Sequence, residues 1–237
     1  MRIHIVNPNS TVSMTEKIAA AVRQAAANGT NIIATTSTDG PASIEGYFDG
    51  ALSLPGLLKQ IEKCEEGGSD GPVDAHIIAC FDDTGLDAAR CLAAVPVIGI
   101  GEAAYHMASF IAGTFSVVTT LSRSIPILEH NLLRYGLATR CTRVRAAEVP
   151  VLSLEDPASP ARARISEEIA VALREDRCEA IVLGCAGMAD LCASLADEHG
   201  VPVIDGVSAA IKTAESLVSL GLATSKSGGW AFPRVKG

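Results

Sequence analysis

The chain of 237 residues is poor in aromatic side chains and has no excess of positive charge. Aromatic residues make up 4% of it, and the net charge is −8. Nucleic-acid binding requires clustered Lys and Arg, so we expect no DNA or RNA partner. No apolar run approaches the roughly 20 residues of a membrane helix, and the first residues lack the long apolar segment of a secretory signal. We therefore expect a cytoplasmic protein with no membrane partner.

Patterns that would indicate a bound metal or nucleotide are also missing. The seven cysteines form no Cys-x-x-Cys pair, so neither a disulfide framework nor a zinc finger is supported. The five histidines lack the spacing of metal ligands. Residues 99–101 read Gly-Ile-Gly, but the third glycine of a dinucleotide loop and the P-loop sequence are both absent. We expect an activity that needs neither a metal nor a cofactor.

What the chain does contain is an apolar, small-residue composition. Nearly half of it, 48%, is hydrophobic, with Ala, Val, Ile and Gly prominent. This balance favours small-residue helices packed on parallel strands rich in Val and Ile. The length suits two domains of about 100 to 120 residues, each able to bury its own core.

The sequence is internally duplicated. Cys80 ends the apolar run 75–79, and Cys185 ends the equivalent run 180–184. Residues 95–98 and 201–204 both read Val-Pro-Val-Ile, and each is followed by Gly and a small-residue segment. The chain therefore has two related halves with one matched cysteine in each.

Apolar runs separated by helical segments predict four parallel strands in each half. The predicted strands are 3–6, 31–36, 75–79 and 97–99, then 114–119, 143–149, 180–183 and 203–204. We predict an α/β fold of two pseudo-symmetric, Rossmann-like half-domains, each a four-stranded parallel sheet flanked by helices. The first lobe is expected to comprise residues 1–98 plus 208–237, with its C-terminal helix packing back, and the second residues 99–207.

The two cysteines predict a chemistry. Ligands bind outside the carboxyl ends of parallel strands, so both thiols are expected in the cleft between the half-domains. A thiolate on one side of a carbon acid and a thiol on the other can remove a proton and return it to the opposite face. This requires a thiol pKa below the usual value of about 8.5, and we expect the helix that starts after each cysteine to lower it.

Four segments carry a specific resemblance: 7–10 (Asn-Pro-Asn-Ser), 40–46, 80–90 and 184–188. Together they resemble the hydantoin racemase branch of the aspartate/glutamate racemase superfamily, and the similarity spans nearly the whole chain. The resemblance implies a cofactor-independent isomerase that uses two cysteines on the C5 hydrogen of 5-substituted hydantoins, and commonly a homo-oligomer. The superfamily typically has Asn-Thr after the first cysteine. Here residues 81–83 are Phe-Asp-Asp, which argues against aspartate or glutamate as substrate.

By position, the resemblance makes Cys80 and Cys185 the acid/base pair. It also implies a set of residues around the substrate ring and its carbonyl groups: Asn9, Ser10, Thr84, Thr119, Thr120, Ala186 and Gly187. Ile44 and Phe81 are candidates for the wall against the 5-substituent. Asp82 or Asp83 either accepts a ring N–H or caps the helix that follows.

Three alternatives stay open. Allantoin is itself a ureido-substituted hydantoin, and the same thiols would serve an allantoin racemase. Neighbouring branches of the superfamily contain arylmalonate-type decarboxylases and maleate isomerases. A non-catalytic small-molecule binding protein could use the same two-lobed cleft.

Overall fold

The computed structural model describes residues 1–67 and 71–234. The first half forms a four-stranded sheet from β1 (Arg2–Asn7), β2 (Asn31–Thr36), β3 (Ala75–Ile78) and β4 (Val97–Gly99). Its strand order is β2-β1-β3-β4, and every neighbouring pair is parallel.

The second half repeats this arrangement. Its strands are β5 (Phe115–Thr119), β6 (Cys141–Ala146), β7 (Ala180–Gly184) and β8 (Val203–Asp205). Their order is β6-β5-β7-β8, again parallel throughout. The predicted fold class is confirmed, and each predicted strand matches an observed one to within a few residues.

Helices connect and cover the strands. Their bounds are α1 (Val12–Ala25), α2 (Tyr47–Glu65), α3 (Leu86–Leu92), α4 (Ile100–Ile111), α5 (Ile125–Arg134), α6 (Ala161–Glu175), α7 (Cys192–His199) and α8 (Gly206–Ser219). Short 3-10 helices cover Ser122–Ser124, Val151–Glu155, Ala186–Leu191 and Gly228–Trp230. Parallel strands need such crossovers because a tight hairpin cannot join them.

Two helices cross between the halves. The chain runs from β4 directly into α4, which packs on β7 and β8, whereas α8 follows β8 and packs on α1, β3 and β4. The two helices also pack against each other. This exchange supports our division into a lobe of residues 1–98 plus 208–237 and a lobe of residues 99–207, which remains a proposal. Residues 235–237 of the first lobe lie outside the described part of the chain.

A single hydrophobic cluster joins the lobes. It contains Ile5 and Ile77 from the first sheet, Val117 and Val182 from the second, and Tyr105 from α4, all essentially inaccessible to solvent. Strands covered on both faces read as continuous apolar runs, as β3 and β7 do. Burial of this shared core fixes the two sheets relative to each other, and so fixes the cleft at their carboxyl ends.

Within the described ranges, no helix is long and apolar enough to cross a membrane. The same residues contain no group of three His, Cys, Asp or Glu side chains arranged to hold a metal ion.

Candidate active site

Both matched cysteines line one cavity between the lobes. Cys80 follows β3 and Cys185 follows β7, so each thiol lies where a central strand ends. The cavity, together with the solvent at its opening, amounts to about 410 Å³ of space not filled by protein atoms. Its lining residues are Pro8, Asn9, Met14, Ile44, Ala79, Cys80, Phe81, Asp82, Thr119, Thr120, Ser124, Val151, Gly184, Cys185 and Ala186.

The loop after Cys80 is acidic and buried. The Sγ atom of Cys80 lies 3.6 Å from Oγ1 of Thr84. Burial raises the pKa of the Cys80 thiol well above its usual range, and the carboxyl group of Asp82 raises it further. Cys80 therefore holds its proton tightly.

Asp82 lines the cavity beside Cys80. Its Oδ2 atom is buried and has no hydrogen-bond partner among the described residues. Its backbone carbonyl accepts a hydrogen bond of 2.8 Å from the side-chain amide of Asn131 on α5. Burial, together with the nearby Asp83, raises the pKa of Asp82 to about 7.

Asp83 points away from the cavity and caps a helix. Its carboxylate accepts hydrogen bonds from the backbone N–H groups of Gly101 and Glu102, at 2.9 and 2.8 Å, and from the hydroxyl of Tyr135 at 2.7 Å. Burial still raises the pKa of Asp83 to about 7. Of the two roles predicted for the Asp pair, Asp83 takes that of a cap, although it caps α4 and not α3, the next helix along the chain.

The surroundings of Cys185 are less acidic. Burial raises the pKa of the Cys185 thiol to about 11, while the backbone N–H of Gly187, which donates to this sulfur, lowers it. The negative charge of Asp82 opposes ionisation of Cys185, and the positive charge of Lys17 favours it. Of the two thiols, Cys185 loses its proton more readily.

The expectation that both thiols have lowered pKa values is wrong. Each cysteine does precede a turn into a helical segment, but burial outweighs any benefit from the free N–H groups there. Sequence indicates where helices start, but the depth of the cleft depends on how the two lobes pack.

Most of the residues predicted to contact substrate do line the cavity. Seven of the residues predicted to contact substrate line the cavity: Asn9, Ile44, Phe81, Asp82, Thr119, Thr120 and Ala186. Ser10, Asp83, Thr84 and Gly187 are not among the lining residues. The N–H of Ser10 donates to the carbonyl of Pro41, and Thr84 and Gly187 contact the two thiols.

Several lining residues were not predicted. Pro8 stands inside the 7–10 segment, so its position in the sequence could have identified it. Ser124 belongs to the 3-10 helix that follows β5, and the small polar residues after a strand were an available signal. Met14 on α1 and Val151 after β6 reach the cavity only through the packing of the lobes.

Glycine is required beside Cys185. A Cβ atom at Gly184 would lie 2.7 Å from Cβ of Thr119, which is closer than packed carbon atoms allow. The hydroxyl of Thr119 donates to the carbonyl of Gly184 at 2.9 Å. This close contact between β5 and β7 sets the position of Cys185 relative to the cavity.

Two contacts join the lobes beside the cavity. Glu45, in the loop before α2, accepts a hydrogen bond of 2.9 Å from the backbone N–H of Val151 in the second lobe. Lys17 on α1 donates to the carbonyl of Leu154 at 3.1 Å. The two contacts hold the lobes together beside the cavity, and a site between packed lobes is shielded from much of the bulk water, which suits proton transfer between thiols and a small ring.

Sequence and structure comparisons both find racemases among the proteins that are similar to this chain. A family model described as Asp/Glu/Hydantoin racemase matches residues 3–214. A hydantoin racemase from Rhizobium meliloti is 50% identical over 236 residues, covering 100% of this chain and 96% of the relative. The solved allantoin racemase from Klebsiella pneumoniae has a TM-score of 0.95 at 52% identity and covers 100% of this chain and 95% of that one.

A more distant structure shares the fold alone. The maleate isomerase of Pseudomonas putida S16 has a TM-score of 0.67 at 18% identity, covering 94% of this chain and 93% of that chain. At this identity the similarity indicates the architecture and carries no information about the reaction.

Proposed function

The chain belongs to the Asp/Glu/hydantoin racemase family and is a racemase, and on that premise we propose that Cys80 and Cys185 interconvert the D and L forms of 5-monosubstituted hydantoins without a cofactor. The observation that carries the proposal is that both thiols line one cavity. The ring would lie between the lobes, with C5 facing one sulfur on each side.

In the proposed reaction, one thiolate takes the proton from C5. The electron pair of the broken C–H bond moves into the neighbouring C4 carbonyl group and forms an enolate. The thiol on the opposite face then gives its proton to C5, and the carbonyl reforms. Each turnover exchanges the roles of the two cysteines, so the enzyme is ready for the opposite enantiomer.

The test uses Cys80→Ser and Cys185→Ser, with Cys91→Ser on α3 as a control. We expect each site variant to lose about 1000-fold or more in racemisation, since a serine hydroxyl is a far weaker acid. In heavy water, each should still exchange the C5 hydrogen of one enantiomer with retained configuration. Cys91→Ser should match the unmodified enzyme. Undiminished racemisation in both site variants would refute the assignment.

A second substrate, allantoin, is favoured by the close structural similarity to an allantoin racemase. The cavity wall contains Met14, Ile44, Phe81 and Val151, which would favour an apolar 5-substituent over a ureido group. We therefore expect a higher kcat/KM for 5-isopropylhydantoin or 5-benzylhydantoin than for allantoin, measured by optical rotation. A higher value with allantoin would assign allantoin as the preferred substrate.

We also propose a cytoplasmic homo-oligomer. Free thiols at Cys80, Cys91, Cys141, Cys178, Cys185 and Cys192 are suited to a reducing compartment. The exposed apolar side chains of Tyr47 and Phe48 on α2, and of Phe110 on α4, would favour contact with another copy. Light scattering of the purified protein tests the assembly.

A further inference from the structure

Asp82 is a buried acid that the thiol chemistry alone does not use. It lines the same cavity as both cysteines, and one of its oxygens has no partner among the described residues. A buried polar atom without a partner is costly, so such an atom in a cavity indicates a ligand group that satisfies it. The neighbouring Asp83 is fully engaged by α4 and Tyr135 and cannot take this role.

The backbone of Asp82 is held from both sides, which fixes where its carboxyl group can lie. Asn131 binds its carbonyl from α5. The next residue, Asp83, has a left-handed backbone with φ of 51° and is anchored to the first turn of α4. Asp tolerates this conformation better than most residues do. The carboxyl group of Asp82 is therefore presented to the cavity by contacts from the opposite lobe.

The charges in the cavity determine which protonation state of Asp82 is compatible with the reaction. Racemisation needs a thiolate, and the reacting ring develops negative charge on its C4 oxygen. An ionised Asp82 would add a further negative charge to a buried site that already adjoins Asp83. A neutral carboxyl group avoids this repulsion and offers one O–H donor and one carbonyl acceptor.

We propose that Asp82, as a neutral carboxylic acid, recognises the cyclic amide edge of the substrate, donating its O–H to the C4 carbonyl and accepting the N3–H with its other oxygen. The inference rests on the proposed racemisation at C5 and names the feature that makes a ring acceptable. A hydantoin ring holds C4=O and N3–H side by side in the cis arrangement, so both hydrogen bonds form together.

The same pairing stabilises the reaction. The O–H of Asp82 points at the oxygen on which enolate charge develops, and a donor placed there is worth more in the transition state than in the ground state. In a free amino acid or an open-chain carbamoyl amino acid, a carboxylate takes the place of the C4 carbonyl beside N3–H, so this edge is missing next to the reacting carbon. Asp82 therefore selects ring ureides and rejects their hydrolysed forms.

The experiment pairs protein variants with substrate variants. Its substrates are 5-methylhydantoin, which has the smallest substituent of any chiral member of the class, and its N1-methyl and N3-methyl derivatives. Its proteins are the unmodified enzyme, Asp82→Asn and Asp82→Ala. A side-chain amide also presents one donor beside one acceptor, so Asn is the matched control that keeps the pairing.

We expect N3-methylation to lower kcat/KM by about 10- to 100-fold more in the unmodified enzyme than in Asp82→Ala, because two hydrogen bonds are at stake. N1-methylation should lower kcat/KM by similar factors in both proteins. Asp82→Asn should stay within about tenfold of the unmodified enzyme on 5-methylhydantoin. Equal loss in Asp82→Asn and Asp82→Ala, or an N3-methyl penalty independent of residue 82, would overturn the inference.

Calorimetry separates this inference from the proposed function. The Cys80→Ser variant, with or without Asp82→Ala, is titrated with 5-methylhydantoin and its N3-methyl derivative. Tighter binding of the parent that disappears with Asp82→Ala supports the pairing even if no racemisation occurs. Absence of discrimination between the two ligands refutes the pairing even if the enzyme racemises hydantoins.

Discussion

The two cysteine loops occupy equivalent places in related lobes but differ in charge. After Cys80 the chain continues with an aromatic residue, the partly buried Asp82 and the buried Asp83, and after Cys185 with Ala186 and Gly187. Burial and the charge of Asp82 raise the thiol pKa on both sides, but Asp83 raises it further at Cys80, whereas Lys17 lowers it at Cys185. Duplication therefore supplies two sulfurs, and divergence of the loops supplies the features that distinguish them.

This difference does not imply a preferred direction of reaction. The two enantiomers have equal free energies, so kcat/KM must be the same in both directions at any pH. Asymmetry between the lobes can still appear in kcat and KM taken separately, in the protonation state of the free enzyme, and in how each loop is supported. The predictions below address the last two properties.

Apart from replacement of the cysteines themselves, the largest effect on activity is expected at Gly184, the residue before Cys185, whose counterpart in the first lobe is Ala79. In Gly184→Ala, the new Cβ meets Thr119 and must shift β7 or β5. A displacement of this kind at a catalytic group costs about 100-fold in activity, and overpacking costs about 1 to 3 kcal/mol in stability. Racemisation assays and urea denaturation measure both.

Ala79→Gly is the matched variant in the first lobe. It creates no clash, and the added backbone freedom should cost about 1 kcal/mol with activity nearly unchanged. Equal tolerance of the two substitutions would show that the contact between β5 and β7 does not set the position of Cys185.

The next difference between the lobes lies in the N-terminal caps of the two crossing helices, α4 and α8. Asp205, at the end of β8, caps α8 from its own N-cap position by accepting from the N–H of Ser208. The equivalent residue before α4 is Gly99, and the cap comes from Asp83 in the Cys80 loop. A Cβ at Gly99 would collide with Asp83, so the glycine makes room for the distant cap.

Asp83→Ala should therefore lower the free energy of unfolding by about 2 to 4 kcal/mol, because buried donors lose their acceptor. It should also reduce kcat, since the loop that holds Cys80 and Asp82 loses its anchor. Asp205→Ala should cost about 1 kcal/mol, as ordinary N-caps do, and leave kcat unchanged. Urea denaturation and steady-state kinetics would contradict this comparison if the two variants behaved alike.

The sequence predicted the strands and the cysteine positions because both depend on local pattern. Apolar runs such as 75–79 end abruptly, and the duplicated segments identify the equivalent place in the other half. Long-range packing was not predictable. Met14 and Val151 enter the cavity from elements of different lobes, and the cap by Asp83 depends on a helix that starts far along the chain.

The two lobes should also differ in how their titratable groups make stability depend on pH, and this effect is smaller. In the first lobe, Nδ1 of His4 lies 2.8 Å from Nδ1 of His76, and Nε2 of His76 lies 2.9 Å from Glu65. Burial, together with the facing His76, lowers the pKa of His4 to about 3. Unfolded His4 takes up a proton near pH 6.5 and folded His4 does not, so the contribution of His4 to stability falls as the pH drops below 6.5.

At His4 this linkage contributes a loss of about 2 kcal/mol between pH 7.5 and pH 5, whereas the raised pKa values of Asp82 and Asp83 favour the folded state as the pH falls. His4→Ser should be less stable at pH 7.5, and over that interval its stability should change by about 2 kcal/mol in the favourable direction relative to the unmodified protein. The equivalent residue in the second lobe is Ser116, which donates to Asp176, so Ser116→Ala should keep the full pH dependence. Urea denaturation of the three proteins at both pH values shows whether the free energy of unfolding depends on pH equally or unequally.

The smallest effect concerns the pH dependence of activity. The charged and titratable groups that act on Asp82 or on the two thiols are Cys80, Cys185, Asp83, Lys17, Glu45 and Tyr105. The first proton to leave Asp82 or the thiols comes from Asp82, with a pKa of about 7, well before Cys185 at about 11. In the reactive form, Asp82 keeps its proton and one thiol is ionised instead. This form has the same single negative charge as the form with ionised Asp82, so the ratio of the two forms does not change with pH.

In the unmodified enzyme, kcat/KM should therefore rise up to about pH 7 and then level off. In Asp82→Asn, the first ionisation is that of a thiol. Its pKa falls because the negative charge of Asp82 is gone, but burial still keeps it above 7. The rising limb should move to higher pH by about one unit or more, as measured by polarimetry with 5-methylhydantoin. If the limb stayed near pH 7, its titrating group would be Asp83, and the charge that distinguishes the two cysteine loops would not come from Asp82.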